Sequence, residues 1–367
     1  QAPEQDRGAI AFGEKLLTVL AEGRYQATYK YAVLLALMDL CLERSNPSGS
    51  APRTVGTAEL ARKIIELYFP HATPFGKDAP RVLMQNQHRG EKQAKVVTLI
   101  ERFRKLHAPD PGATLWRARQ HDPVAYERLV REVEWVLAQM PLPKLQRLGD
   151  RDVRFLYEIS WDDAVRRREF VANGFDRSIR FVGDAADHLV RLSGLLRPFI
   201  RREWARMVAR INGDLVPESG LEEFLFGVSR ATLAPVREDL RMVDEGRCFY
   251  CDRRLGSAWE VDHFVPWARF PNNGVENLVS ADVACNRSKL DHLASAEHVE
   301  RWLERAAKRA DELASVAEAR RWDRQPDRSV SVARSIYLRL PSDAQLWRSG
   351  REFVNAERRR LVEAFSG

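Results

Sequence analysis

Cysteine is scarce in this chain, with four among 367 residues, and three of those four fall between positions 248 and 285 while Cys41 stands alone in an apolar run. That layout excludes a secreted disulfide framework, and Cys41 reads as a buried core residue. Long hydrophobic runs are absent too. The best candidate, Ala32 to Leu42, is interrupted by Asp39 and falls short of the roughly 18 apolar residues that a membrane span needs. The first residues, Gln1-Ala-Pro-Glu-Gln-Asp-Arg7, lack the basic-then-apolar pattern of a signal peptide, and a start at Gln1 points to a trimmed or processed terminus. A cytoplasmic, membrane-free protein is the expectation. No internal repeat or low-complexity segment is present.

Acidic excess is also missing. Lys+Arg 59 against Asp+Glu 52 gives a net charge of +7, and arginine dominates the basic residues. The planar guanidinium fork suits phosphate, so this balance favours an anionic partner such as nucleic acid.

Local patterns predict mostly helix. Residues 26–44 read as a buried helix, followed by the turn-rich stretch Ser45 to Pro52. Further helices are expected over 58–68, 91–106, 126–140 and 195–212. The segment 91–106, rich in Arg and Lys, could belong to a helix-turn-helix reader or present a solvated face. In 195–212, Ile200, Trp204, Met207, Val208 and Ile211 share one face, while Arg202, Arg206 and Arg210 line the other at steps of four. That row could follow a phosphate backbone or simply face solvent. Residues 153–160 and 178–182 are β-like but short. A helix over 222–246 is expected to feed a cysteine knuckle, and 296–322 reads as one long solvent-facing helix.

The chemistry concentrates in one stretch. Cys248-Phe-Tyr-Cys251 is followed by Val261-Asp262-His263-Phe-Val-Pro266, then Glu276-Asn277-Leu278, then Ala284-Cys285-Asn286-Arg287-Ser288-Lys289. Phosphodiester hydrolysis needs an activated water, a cation on the developing charge and a positioned leaving oxygen. His263 can act as the base near neutral pH. Asp262 and Asn286 are hard oxygen ligands suited to Mg²⁺ or Mn²⁺. Adjacent strand residues point to opposite faces, so Asp262 and His263 can serve one metal only at a strand end.

This stretch resembles the HNH endonuclease family, over residues 246–293. The resemblance implies a ββα-metal core with a strand at 259–266, a loop holding Asn277 and a helix opened by Asn286. It implies His263 as general base, Asn277 as the residue orienting its imidazole, Asp262 and Asn286 as metal ligands, and Lys289, with Arg287, at phosphate. The His-Asn-Asn order is similar to the HNH domain of RNA-guided CRISPR nucleases. Family members often hold a structural zinc beneath the core. Here that implies Cys248, Cys251 and Cys285, with Asp282 where a Cys or His would complete the spacing and His292 or His298 as substitutes.

The expected fold class is mainly α (α+β), a helical N-terminal region with a C-terminal ββα-metal module flanked by helices. The expected organisation is a targeting or regulatory region over 1–150, a helical connection over 151–240, the nuclease module over 241–300 and a helical extension over 301–367. The resemblance implies hydrolysis of DNA to a 5′-phosphate and a 3′-hydroxyl. RNA as substrate, and a binding module with a degenerate site, are the alternatives. Family company suggests a bacterial defence or restriction system with partner proteins.

Overall fold

A helix that is apolar on every side must be buried, and Tyr29–Glu43 obeys: Ala32 to Met38 are almost completely shielded from solvent. The computed structural model describes residues 4–22, 27–76, 80–87, 93–110, 112–148, 151–213, 220–227 and 233–366. The chain forms two compact units. One comprises Gln1–Cys41 and Pro52–Gly227, the other Leu42–Ala51 and Val228–Gly367. The fold is mainly helical with small sheets.

In the first unit the helices are α1 (Glu4–Glu22), α2 (Tyr29–Glu43, whose last residues enter the second unit), α3 (Thr57–Tyr68), α4 (Lys95–His107), α5 (Leu115–His121), α6 (Pro123–Gln139), α7 (Arg167–Phe170), α8 (Ala185–Arg191), α9 (Ser193–Asn212) and α10 (Leu221–Phe226). Their starts follow local chemistry. Glu59 accepts the Gly56 amide at 2.8 Å to open α3, and Asp122 accepts the Ala125 amide at 2.8 Å to open α6 ahead of Pro123. Strands β1 (Thr54–Gly56), β6 (Tyr157–Glu158) and β7 (Ser178–Phe181) form an antiparallel sheet in the order β1-β7-β6. Two-residue pairs join β2 (Pro74–Phe75) to β3 (Arg81–Val82) and β4 (Arg147–Leu148) to β5 (Arg151–Asp152). The expected start of a helix at 91 lies outside the described residues; α4 is seen from Lys95.

The second unit contains α11 (Ala234–Val243), β8 (Trp259–His263), β9 (Leu278–Asp282), α12 (Val283–Lys289), α13 (Ala296–Lys308), α14 (Ala310–Arg320), α15 (Pro326–Tyr337), β10 (Gln345–Ser349), β11 (Glu352–Asn355) and α16 (Arg358–Ser366). Strands β8 and β9 pair antiparallel from Trp259↔Asp282 to His263↔Leu278. Val261 packs on a cluster built by Val236, Leu240, Leu278, Leu313 and Trp322.

Two expectations need correcting. Residues 222–246 are not one helix: α10 ends at Phe226, before the extended Gly227, and the second unit's α11 starts at Ala234. Residues 296–322 are two helices parted at Arg309, whose backbone (φ −107°, ψ 20°) leaves the helical region. Nor do they face solvent all round, because Val299, Trp302, Leu313 and Val316 are buried. No helix among the described residues is long and apolar enough to cross a membrane.

Candidate active site and thiol cluster

Alternation along β8 sorts the site. Glu260 and Asp262 share one face, while Trp259, Val261 and His263 share the other, and the strand ends at His263. Helix α12 lies along the carboxylate face. Asn286 Nδ2 donates to Glu260 Oε2 at 2.6 Å, and one turn later Lys289 Nζ meets Asp262 Oδ2 at 2.9 Å. Tyr250 OH donates to the same Oδ2 at 2.6 Å. Each proposed ligand therefore keeps one oxygen unengaged among the described residues. Asp262 retains Oδ1, and Asn286, whose amide nitrogen is committed to a carboxylate, retains Oδ1. Two hard oxygens on facing elements fit Mg²⁺ or Mn²⁺.

On the other face, His263 Nε2 lies 2.8 Å from Asn273 Oδ1. Only the ring nitrogen can supply a proton to that oxygen, so Nε2 carries the hydrogen and Nδ1 keeps its lone pair. Burial holds the imidazole below its ordinary range, opposed by the Asn273 bond and Asp262 and assisted by Lys289. Asn273 is held in turn by the loop, since its carbonyl accepts Trp322 Nε1 at 2.6 Å.

This geometry corrects two expectations. Asn277 does not orient the imidazole. Fully buried, it accepts the Val265 amide at 2.8 Å and donates to the carbonyls of Val265 (3.2 Å) and Asn272 (3.0 Å), cross-bracing the loop that carries Asn273. Lys289 does not reach phosphate: completely buried, it joins Asp262 to the His263 carbonyl, which it meets at 2.9 Å. Arg287, on the outer side of α12, is exposed.

Sequence reasoning missed Asn273, Glu260 and Tyr250. Glu260 was legible from strand alternation, two residues before Asp262. Tyr250 lay inside the cysteine pair. Asn273 had only the turn signal Asn272-Asn273-Gly274, which does not say where an amide points.

Beneath the core, the sulfurs of Cys248, Cys251 and Cys285 all lie within 4.8 Å of one another and could hold a metal ion. Tetrahedral zinc at about 2.3 Å from sulfur spaces its thiolates about 3.8 Å apart, so the three fit three corners. A hydrogen bond from the Cys285 thiol, backed by backbone amides including that of Asp282 at 3.3 Å, pulls Cys248 down to about 5. The same bond pushes the Cys285 thiol up. Asp282 does not complete this group. Its Oδ1 accepts the Ala284 amide at 2.8 Å as the N-cap of α12, and no oxygen of its carboxylate falls within the 4.8 Å that groups the three sulfurs. His298 is committed to Ser295 Oγ (3.0 Å) and the Tyr250 carbonyl (3.3 Å), and His292 sits edge-on against Phe353. Among the described residues the fourth corner has no side-chain ligand in place.

In the first unit, Arg202, Arg206 and Arg210 are exposed along α9, with Arg206 paired to Glu203 at 2.7 Å.

Residues 8–225, more than half of the chain, match the family model described as Domain of unknown function (DUF8808), and the chain belongs to that family. Residues 248–295 match the model described as HNH endonuclease, the segment that holds the whole constellation above. No curated protein and no solved structure matches the chain.

Proposed function

We propose that this chain is a metal-dependent endonuclease that hydrolyses DNA, with its chemistry in the HNH segment. The observation that carries the reading is the proton assignment at His263: Asn273 fixes hydrogen on Nε2 and leaves Nδ1 free as a base. His263 Nδ1 takes the proton of the attacking water. Tyr250 and Lys289 hold Asp262 by Oδ2, and Glu260 holds Asn286 by Nδ2, which presents an oxygen of each to a cation. Bound there, Mg²⁺ or Mn²⁺ would supply positive charge to the developing phosphorane oxygens. Zinc on Cys248, Cys251 and Cys285 would tie the turn that carries Cys248 and Cys251 to α12, with a fourth ligand from solvent. Arg287 on α12 and the Arg202, Arg206 and Arg210 row on α9 are the proposed phosphate contacts.

Plasmid DNA and a structured RNA, each incubated with the full chain with and without Mg²⁺, test the reading. Metal-dependent DNA cleavage is expected, and His263→Ala should reduce it by about a hundred- to ten-thousandfold with the fold intact. Cleavage of RNA alone would move the substrate, and wild-type rates in His263→Ala would remove the mechanism.

A further inference from the structure

Helix α12 ends in a way the fold does not require. Lys289 turns inward, the Leu290 amide reaches the Asn286 carbonyl at 3.1 Å, and the chain reverses with the His292 amide on the Lys289 carbonyl at 2.9 Å. Leu290 occupies the first central position of that reversal at φ 48°, ψ −129°, the geometry of a type II′ turn that glycine adopts freely and a branched L side chain adopts under strain. Burial does not offset the strain, because Leu290 is 63% exposed. Glycine would make the same turn without it.

The hairpin β10–β11 flanks this turn from outside the HNH-matched segment. It is fastened through Trp347, whose amide and carbonyl bond Leu293 and Ser295 at 2.8 Å each. Opposite Trp347 stands Phe353, 37% exposed, with its ring 4.9 Å from that of His292 and nearly perpendicular to it. The charges nearby are unequal. Arg348 is neutralised by Glu352 and Glu297, whereas Arg287 and Arg351, set against the exposed acid Asp291, are exposed and have no ion-pair partner among the described residues.

We infer that Leu290 and Phe353 form a base-contacting edge beside the scissile centre, so that the substrate strand is taken there with its bases unpaired. The inference rests on the nuclease reading for its partner. Apolar and aromatic side chains meet the flat faces of bases, which stacking hides inside a duplex, while guanidinium groups take the flanking phosphates. Leu290 caps the helix whose Asn286 and Lys289 meet the Glu260 and Asp262 carboxylates, with its side chain turned outward where that of Lys289 turns in.

The test is equilibrium binding by the full chain, without Mg²⁺, of one sequence presented as a single strand, as a duplex with a central bubble and as a paired duplex. Wild type should bind the unpaired forms about fivefold or more tighter. Leu290→Gly and Phe353→Ala should each remove most of that preference and leave paired-duplex affinity unchanged. Leu290→Gly should match or exceed the wild-type thermal midpoint, because glycine relieves the turn, so its loss of preference is not unfolding. Equal wild-type affinity for paired and unpaired forms, or an unchanged preference in both variants, overturns the inference. So does a change of mass by light scattering with nucleic-acid binding untouched, which would assign the edge to a second copy of the chain. The parent reading fails separately: a preference abolished by Leu290→Gly, in a protein that cleaves nothing with Mg²⁺, keeps the base contact and discards the nuclease.

Discussion

The buried network around Gln85 in the first unit and the carboxylate face of β8 in the second differ in how far their polar groups are engaged. In the first, one buried network around Gln85 closes on itself. Thr28 Oγ1 donates to Gln85 Oε1 (2.8 Å) and meets Tyr68 OH (2.7 Å); Trp204 Nε1 donates to the same Gln85 oxygen (2.9 Å), and His71 Nε2 donates to the Leu225 carbonyl (3.0 Å). Asp39 pairs with Arg197 in the same unit, both nearly free of solvent contact. In the second unit Asn277 and His298 are engaged at both polar atoms as well, but Asp262, Asn286 and His263 are each held by one atom and leave another unengaged among the described residues. Closed networks specify a fold. Half-engaged ones hold capacity for a ligand, and the same difference parts Asn277, which braces its loop, from Asp262 and Asn286, which each keep an oxygen unengaged among the described residues.

The contrast is sharpest at Asp39. Replacing it by Ala removes the carboxylate that pairs with the buried Arg197 guanidinium, beside buried Arg201, which burial, with Arg197, already depresses to about 9. A loss of about 3–5 kcal/mol is expected in the first unit. Chemical unfolding followed by a probe in each unit measures it. A loss shared equally by both units would dissolve the comparison.

Acid sharpens it next. His71, completely buried, is pushed down to about 3, so it is neutral when folded, whereas the unfolded residue titrates near 6.5. The unfolded chain then binds the extra proton, and stability falls as pH drops below about 6.5, by about 2 kcal/mol at pH 5. His298 in the second unit, held down to about 4 mainly by burial, adds a loss of the same sign that levels off sooner. His71→Gln should weaken the first unit at neutral pH yet flatten its acid limb. An acid limb as steep as wild type in that variant would show that another group carries it.

How far the sequence could be read divides along the same line. The helices α2, α3, α6 and α9 were legible because their apolar positions recur at helical spacing or fill the whole surface. The acid-His strand and the cysteine cluster were legible through the resemblance that the order of their motifs carries. The roles of Asn277 and Asn273 were not, since both are amides on one loop and only its closure decides which meets the imidazole. Lys289 was misread for a related reason: a lysine one turn beyond Asn286 can face out or in, and only the packing of α12 on β8 settles the choice. The association of residues 42–51 with the second unit, through Glu43 and Arg328 at 2.8 Å and Ser45 and the Ser331 carbonyl at 3.0 Å, was beyond any local signal.

A smaller effect separates the cap from the metal site. Asp282→Ala removes the N-cap of α12 and should cost about 1 kcal/mol in the second unit. Zinc measured by elemental analysis should stay with Cys248, Cys251 and Cys285, and should fall in Cys248→Ser. Loss of zinc from Asp282→Ala would return its carboxylate to the coordination sphere.

The smallest effect on stability is expected from Arg202, Arg206 and Arg210 changed together to Gln. All three are exposed, glutamine keeps helix propensity, and the pair of Arg206 with Glu203 is a surface contact, so the first unit should shift by no more than about 0.5 kcal/mol. Binding is where the row would declare itself. Each phosphate contact contributes about 0.9 to the slope of log affinity against log salt, so losing three should flatten that slope by up to about 2.7 on duplex DNA of any sequence. A slope unchanged in the triple variant would leave the first unit without a phosphate surface on α9 and confine nucleic-acid contact to the second.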